Sequence, residues 1–307
     1  MRRLHSFCLV QSLLIYLIFS MNCSSLLGSN SKGTQKMTSL KRGVKLILMK
    51  KILIFLFGHQ SKIVKYWSIF KDSYRMLKVI LPLVKSNKLK FCFKIIKSHN
   101  YLKFQSNLNN KKKYFKNKYQ FNYDDWFSNN MNVWEYYLKN LKEIKYLEIG
   151  SFEGRSAVFV GELNNVKEVT CVDTFEGSDE HNNINFDLVY KNCSKNLKNL
   201  KKLNISYNLI KDSSHNFFQI NDNKFNVIYI DGSHFYKDVK KDFINSMSCL
   251  VEGGILICDD FFWFFYEKKE DNPIGAILEC YENYKKNLEI LFVNNQIIFK
   301  KIKVKLN

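Results

Sequence analysis

From about residue 121 onward, short apolar runs alternate with longer stretches whose apolar residues recur every three or four positions. Runs of four to eight β-branched or aromatic residues, bounded by turn residues, predict buried strands. The 3.6-residue recurrence predicts amphipathic helices. Strands are expected at Tyr146–Ile149, Glu168–Val172, Ile205–Ile210, Phe225–Ile230 and Ile255–Cys258. Helices are expected between them, over Ser156–Leu163, Phe186–Leu197, Ser214–Ile220 and Tyr236–Leu250. A further helix, Tyr123–Leu141, precedes the first strand, with Trp126, Val133, Tyr137 and Leu141 on one side. Pro273 opens a last helix to Lys286, where its missing N–H costs nothing. Glu289–Val293 and Gln296–Lys300 flank Asn294-Asn295, a pair that tolerates the left-handed dihedrals of a two-residue hairpin.

Strand–helix alternation closed by a hairpin implies an α/β fold with a mostly parallel seven-stranded sheet and an antiparallel C-terminal hairpin. Ligands of such sheets bind beyond the strands' C-terminal ends. The residues that matter should therefore follow each strand.

The first 120 residues have a different pattern. Arg2 and Arg3 precede an apolar run, Phe7 to Met21, too short for a membrane span. Residues 1–30 read as a signal-like leader or, with the true start at Met37 or Met49, as a start-site artefact. Residues 31–120 alternate Lys with Ile, Leu, Phe and Tyr and read as a basic extension, helical or disordered. Lys111 to Lys118 reads as a linker or surface patch, and the globular domain is placed at 121–307.

Charge follows the same division. Residues 1–120 hold 25 Lys/Arg and one acid, Asp72, whereas residues 121–307 hold 23 Lys/Arg and 27 acids. A basic arm suits anionic lipid or an acidic polymer, and it leaves a peripheral membrane contact open. Asn occurs 34 times, a bias that an AT-rich genome also produces. No nucleic-acid module accompanies the charge, so no specific nucleic acid is expected. The eight Cys include no CxxC pair, and Cys171 and Cys258 sit in apolar runs. That favours free thiols in a reducing, cytoplasmic setting over disulfides or a zinc site.

Four segments carry candidate chemistry. Glu148-Ile-Gly150-Ser151-Phe152-Glu153-Gly154-Arg155-Ser156 leaves a strand and opens a helix. Its glycines permit a tight turn and close approach to a ligand, as in nucleotide-type sites, but it is not a GxGxxG dinucleotide motif. Asp173 ends the next strand, where an acid accepts hydrogen bonds from both hydroxyls of a ribose. Asp231-Gly232-Ser233-His234 and Asp259-Asp260 end two further strands. Three carboxylates at adjacent strand ends repel one another unless a divalent cation such as Mg²⁺ neutralises them; helix capping is the alternative. His234 suits a general base near neutral pH, or a structural hydrogen bond. His181 lies on the loop after Asp173, within reach of a substrate, and His215 reads as structural. Phe261 to Tyr266 forms a substrate wall or lid, or packs against the arm.

This ordered set resembles the class I S-adenosylmethionine-dependent methyltransferases. It comprises Glu148-x-Gly150-x-x-x-Gly154-x-Ser156, an acid after the second strand, Ile230-Asp-Gly-Ser-His-x-Tyr236 with Val239 and Asp242 following, and Gly253-Gly-x-x-x-x-Asp-Asp-Phe261. Within that family it is closer to the branch of macrocin-type and catechol-type O-methyltransferases. The resemblance covers residues 123–301 and implies a Rossmann-like methyltransferase fold with S-adenosylmethionine as cofactor. It implies Glu148, Gly150, Ser151 and Gly154 beside the methionine and ribose, Asp173 on the ribose hydroxyls and Asp212 near the adenine. Asp231, Asp259 and Asp260 match the metal-binding acids of Mg²⁺-dependent members. Some members carry a second Asp after Asp-Gly; here Ser233 and His234 follow, which makes His234 the candidate base. The implied reaction is methyl transfer to a hydroxyl of a small-molecule or glycan acceptor, with a homodimer left open. The alternative is an inactive or hydroxylase-type relative acting as a membrane-associated binding protein.

Overall fold

A computed structural model describes residues 107–178, 181, 183–263 and 271–303. The leader, most of the basic extension, Cys8, Cys23, Cys92 and the aromatic residues Phe264 to Tyr266 lie outside the described residues.

The elements in chain order are α1 (Leu108–Lys118), α2 (Met131–Leu138), β1 (Ile144–Ile149), α3 (Arg155–Gly161), β2 (Val166–Asp173), α4 (Phe186–Lys198) and β3 (Ser206–Lys211). There follow α5 (Ser214–Ile220), β4 (Phe225–Ile230), α6 (Tyr236–Cys249), β5 (Leu250–Cys258), α7 (Pro273–Tyr284), β6 (Leu288–Val293) and β7 (Ile297–Lys301). The seven strands form one sheet in the order β3-β2-β1-β4-β5-β7-β6. β1 to β5 pair in parallel, and β7 inserts antiparallel between β5 and β6. The strand order reverses between β1 and β4, and sheets of this kind bind their ligands at such a switch point.

Period-two alternation distributes each strand over two apolar layers. Leu147, Ile149, Ile228 and Ile230 face α5, α6 and α7, beside Phe217, Phe243 and Ile277. Tyr146, Val227 and Tyr229 face the other way, with Trp134, Phe159 and Cys193 of α2, α3 and α4. Cys171, Cys193, Cys249, Cys258 and Cys280 are buried and free.

Two expectations change. The stretch Lys111 to Lys118 is not a linker. It lies in α1, which buries Leu108 and Phe115, and Tyr119 is buried just beyond. The Phe115 ring meets Phe159 at 5.6 Å, and Lys118 pairs with Glu162 at 2.9 Å. Residues 108–120 therefore fold with the body that was expected to begin at 121. The stretch Tyr123–Leu141 is not one helix either. Only Met131–Leu138 is α-helical, after a 3-10 turn at Ser128–Asn130. Side chains take the backbone N–H groups that a continuous helix would use. Glu153 accepts from Asn122 and Tyr123 at 2.8 and 3.1 Å, and Asp125 accepts from Ser128 at 2.8 Å. Trp126, placed by its spacing on a core face, is 56% exposed.

Among the described residues no helix is long and apolar enough to cross a membrane.

Candidate active site

The C-terminal ends of the central strands are stitched together by backbone hydrogen bonds. Gly150 N–H donates to the Val172 carbonyl, Asp231 N–H to Ile149 and Asp259 N–H to Ile230, at 2.8, 2.8 and 3.0 Å. Gly150 has φ +86°, and a Cβ added there would stand 2.0 Å from the Asp231 carbonyl oxygen. No side chain fits that approach. Phe152, in the same loop, holds φ +48°, and Phe175 and Asp260 hold φ +54°. Non-glycine residues in this region cost about 1 kcal/mol or more each, a strain that gathers where geometry is functional.

Asp173 organises the loop. Its Oδ2 accepts the N–H groups of Ser151 and Phe152, each at 2.8 Å, and its Oδ1 accepts Phe175 N–H at 2.7 Å. Around this clamp opens a cavity of about 670 Å³ whose walls include Gly150, Asp173, Asp212, Asp231 and His234. Trp126, Phe152, His181 and Phe186 wall one end. The His181 ring packs against both Trp126 and Phe152, with centroids at 5.7 and 5.9 Å, and those two rings meet each other at 5.1 Å. Asp212 accepts from Ser213 N–H at 2.6 Å and from Asn216 at 2.8 Å, so it also fixes the start of α5. His215 lines the same cavity and meets Gln219 at 3.1 Å.

Glu148 does not line the cavity. It lies sealed beneath the loop, where its carboxyl group accepts from the Ser156 hydroxyl and from the Cys171 thiol. Burial pushes its pKa up to about 8. Ser151 and Gly154 also lie under the loop. Ser151 is buried and gives its N–H to Asp173, and Gly154 begins α3 at φ +74° against Cys193.

The two acids that end β5 point in different directions. The ligand atoms of Asp231, His234 and Asp260 lie within 4.8 Å of one another. His234 Nε2 is 2.8 Å from Asp260 Oδ2 and 4.0 Å from Asp231 Oδ1, and the His234 ring meets Trp263 edge-on at 4.8 Å. Asp259 turns inward. It accepts from the Tyr229 hydroxyl and, at 2.6 Å, from the Gln296 amide, whose oxygen accepts the Trp134 indole N–H at 2.7 Å. Of the three expected acids, Asp231 and Asp260 form one cluster with His234. Asp259 stands behind it, linked through Tyr229, whose oxygen is also 2.7 Å from Asp231.

The electrostatics fit a cation. Burial, then Asp259 and Asp260, hold the Asp231 carboxyl well above the usual range. Burial, then Asp260, push Asp259 up to about 6. Acids that raise one another in this way are relieved by a positive charge between them. Asp231 and Asp260 offer carboxylate oxygens of the kind that hard divalent cations bind, with the His234 imidazole beside them. Spacing gave no sign that Trp126, Tyr229, Glu153 or Gln296 takes part in the site. Tyr229 and Gln296 flank the acids only through strand pairing.

Among known proteins, residues 147–261 match the family model described as a methyltransferase domain. No curated protein matches the chain. An O-methyltransferase from Bacillus cereus, solved with S-adenosylhomocysteine, is similar at 15% identity and TM-score 0.44, over 65% of this chain and 91% of that one. The O-methyltransferase TomG from Streptomyces achromogenes, involved in tomaymycin synthesis and solved with S-adenosylmethionine, is similar at 9% identity and TM-score 0.45, over 65% and 91%. An rRNA methylase from Streptococcus thermophilus is similar at 14% identity and TM-score 0.40, over 56% and 96%. The family match spans the loop after β1, the ends of β2 and β4 and both acids after β5, so residues 147–261 are similar to a methyltransferase domain.

Proposed function

We propose that the protein transfers the methyl group of S-adenosylmethionine to a hydroxyl oxygen of a small-molecule or glycan acceptor, with a divalent cation, Mg²⁺ by preference, at Asp231 and Asp260. The observation that carries this reading is the convergence of Asp231, His234 and Asp260 beside a cavity whose wall also holds Gly150 and Asp173. Asp173, already fixed by three backbone N–H groups, has one acceptor site left, on Oδ1, for a ribose hydroxyl. Gly150 admits the cofactor close to the backbone, and Asp212 borders the base. Glu148, Ser151 and Gly154 act by shaping this loop from below.

A bound cation supplies neutralisation of the carboxylates and a lowered pKa for a hydroxyl placed beside it. His234 takes the acceptor's proton, and Asp260, 2.8 Å from its Nε2, stabilises the imidazolium that results. S-adenosylmethionine held at Gly150 and Asp173 would supply the methyl group to that oxygen, with S-adenosylhomocysteine as the by-product. Alignment of oxygen, methyl and sulfonium is the larger share of the catalysis, and the rigid strand ends provide it. The exposed ring of Trp126, stacked on His181, gives the acceptor an aromatic wall.

The test is calorimetry of S-adenosylhomocysteine on the full-length protein, with and without Mg²⁺. Micromolar binding that Asp173→Ala weakens at least about tenfold supports the reading. A folded protein that binds no S-adenosylhomocysteine refutes it and leaves a binding protein on the same fold.

A further inference from the structure

Asp259 is held off the cluster of Asp231, His234 and Asp260 by hydrogen bonds that begin outside every motif. Trp134 of α2 and Gln296, in the turn between β6 and β7, are 0% and 1% exposed. Both lie outside the matched residues 147–261. An indole N–H can only donate, so the atom that Trp134 meets at 2.7 Å is the Gln296 side-chain oxygen. That contact fixes the amide. Its Nε2 faces the other way and donates to Asp259 Oδ2 at 2.6 Å and to the Tyr229 hydroxyl at 3.3 Å. An amide turned over would set oxygen against carboxylate and N–H against N–H. The turn that carries Gln296 is itself locked. Gln296 N–H donates to Asn294 Oδ1 at 2.7 Å, and Asn294 N–H to the Gln296 carbonyl at 2.8 Å. Phe261 N–H donates to the Asn295 carbonyl at 2.7 Å, which ties the segment after the acids to the same turn.

Packing alone does not separate Asp259 from the cluster. A void of about 10 Å³ is lined by Asp231, His234 and Asp259 together, close to the least space that admits a water-sized group. What holds the Asp259 carboxylate back is the donor set on its oxygens. Tyr229 and Gln296 donate to Oδ2, and Asp260 N–H donates to Oδ1 at 2.7 Å.

We propose that Gln296, its amide oriented by Trp134, is a specificity-determining residue for the cation: it withholds Asp259 and leaves a site of two carboxylates, suited to Mg²⁺ over Ca²⁺. This rests on the cation placed at Asp231 and Asp260 above. The preference follows from coordination. Mg²⁺ is small, keeps several waters and is held by roughly one or two carboxylates. Ca²⁺ takes about six to eight oxygens in a flexible shell, and its affinity rises with the charge of its ligands. A third acid free to turn toward the cation therefore favours the larger ion.

The experiment uses full-length protein near neutral pH. Mg²⁺ and Ca²⁺ compete against Mn²⁺, and the signal of free Mn²⁺ is the readout. Gln296→Leu frees Asp259 and is expected to move the ratio of Ca²⁺ to Mg²⁺ affinity at least about tenfold toward Ca²⁺. Trp134→Phe removes only the N–H that orients the amide and should move the ratio the same way, by about fivefold. Adding Asp259→Asn to either variant removes the released carboxylate, and the ratio should return to within about twofold of wild type. If Gln296→Leu does not fold, Trp134→Phe, alone and with Asp259→Asn, decides. Variants that weaken both ions alike mark a merely structural residue and overturn the proposal. So does a shift toward Ca²⁺ that survives Asp259→Asn. Folded wild type that binds no Mn²⁺ overturns the cation reading and this inference with it, while S-adenosylhomocysteine binding still judges methyl transfer.

Discussion

Glu148→Gln is the substitution whose effect can be worked furthest. Glu148 is fully buried, and burial raises its carboxyl from 4.5 to about 8. In the unfolded chain the group is ionised at neutral pH; in the folded chain it is protonated. The folded state binds the extra proton, so stability is fully present below pH 4.5 and is lost as pH rises through about 8. At 1.36 kcal/mol per pH unit the total loss is about 5 kcal/mol, and at pH 7.5 it is about 4 kcal/mol. Gln is close in shape, can accept from Ser156 and carries no proton to lose. It gives up about 1 kcal/mol for a weaker hydrogen bond. The variant should therefore be about 3 kcal/mol more stable than wild type at pH 7.5, a rise of roughly 8 °C in melting temperature for a chain of this size. At pH 5 the two should melt within about 2 °C of each other. Melting curves from pH 5 to 9 measure this directly, and parallel pH profiles for the two proteins would falsify the buried neutral acid. The same variant separates two roles for Glu148. A residue sealed below the loop leaves S-adenosylhomocysteine affinity within about twofold of wild type at pH 7, whereas a residue touching the cofactor does not.

Three further substitutions test the surrounding geometry. Gly150→Ala forces a Cβ to within 2.0 Å of the Asp231 carbonyl oxygen and should cost about 4 kcal/mol or more in denaturant melts; a cost below about 1 kcal/mol contradicts the close approach. Asp231→Asn and Asp260→Asn should each lower Mn²⁺ affinity, read from the signal of free Mn²⁺, at least about tenfold, while Asp259→Asn changes it by no more than about threefold. Equal losses at Asp259 and Asp260 would restore the three-acid set that the sequence suggests. Glu153→Ala removes the acceptor of the Asn122 and Tyr123 N–H groups and of the Asn192 amide, and should cost about 3 kcal/mol and speed amide exchange at residues 122 and 123. Unchanged exchange there would mean that the segment below Trp126 is held by something else.

The central parallel strands β1, β2, β4 and β5 were legible because they are short and largely apolar, and each ends at a glycine or an acid. The extent of α1 was hidden by Lys111-Lys112-Lys113, which looks like a solvated run. The signal was present nonetheless in Leu108, Phe115 and Tyr119, whose spacings of seven and four place them on one helical face. The false continuous helix from Tyr123 arose from the same arithmetic. Trp126, Val133, Tyr137 and Leu141 have helical spacing, but Glu153 lies about thirty residues away in sequence and captures the backbone first. A periodicity argument is local, and this competitor is not.

The acids after β5 carry the same lesson into the chemistry. Asp259 and Asp260 are neighbours of identical type at a strand end, and no spacing rule says which of them faces a ligand. Strand pairing decides. β5 lies between β4 and β7, so Tyr229 from one side and Gln296 from the other reach Asp259 and fix it inward. Asp260, turned by its left-handed backbone, is left to meet His234. The motif therefore fixes how many acids arrive at the site, and the neighbouring strands fix which of them can serve it. A substitution at Gln296, outside every motif, should in consequence disturb the site through Asp259, while substitutions at His234 act on it directly.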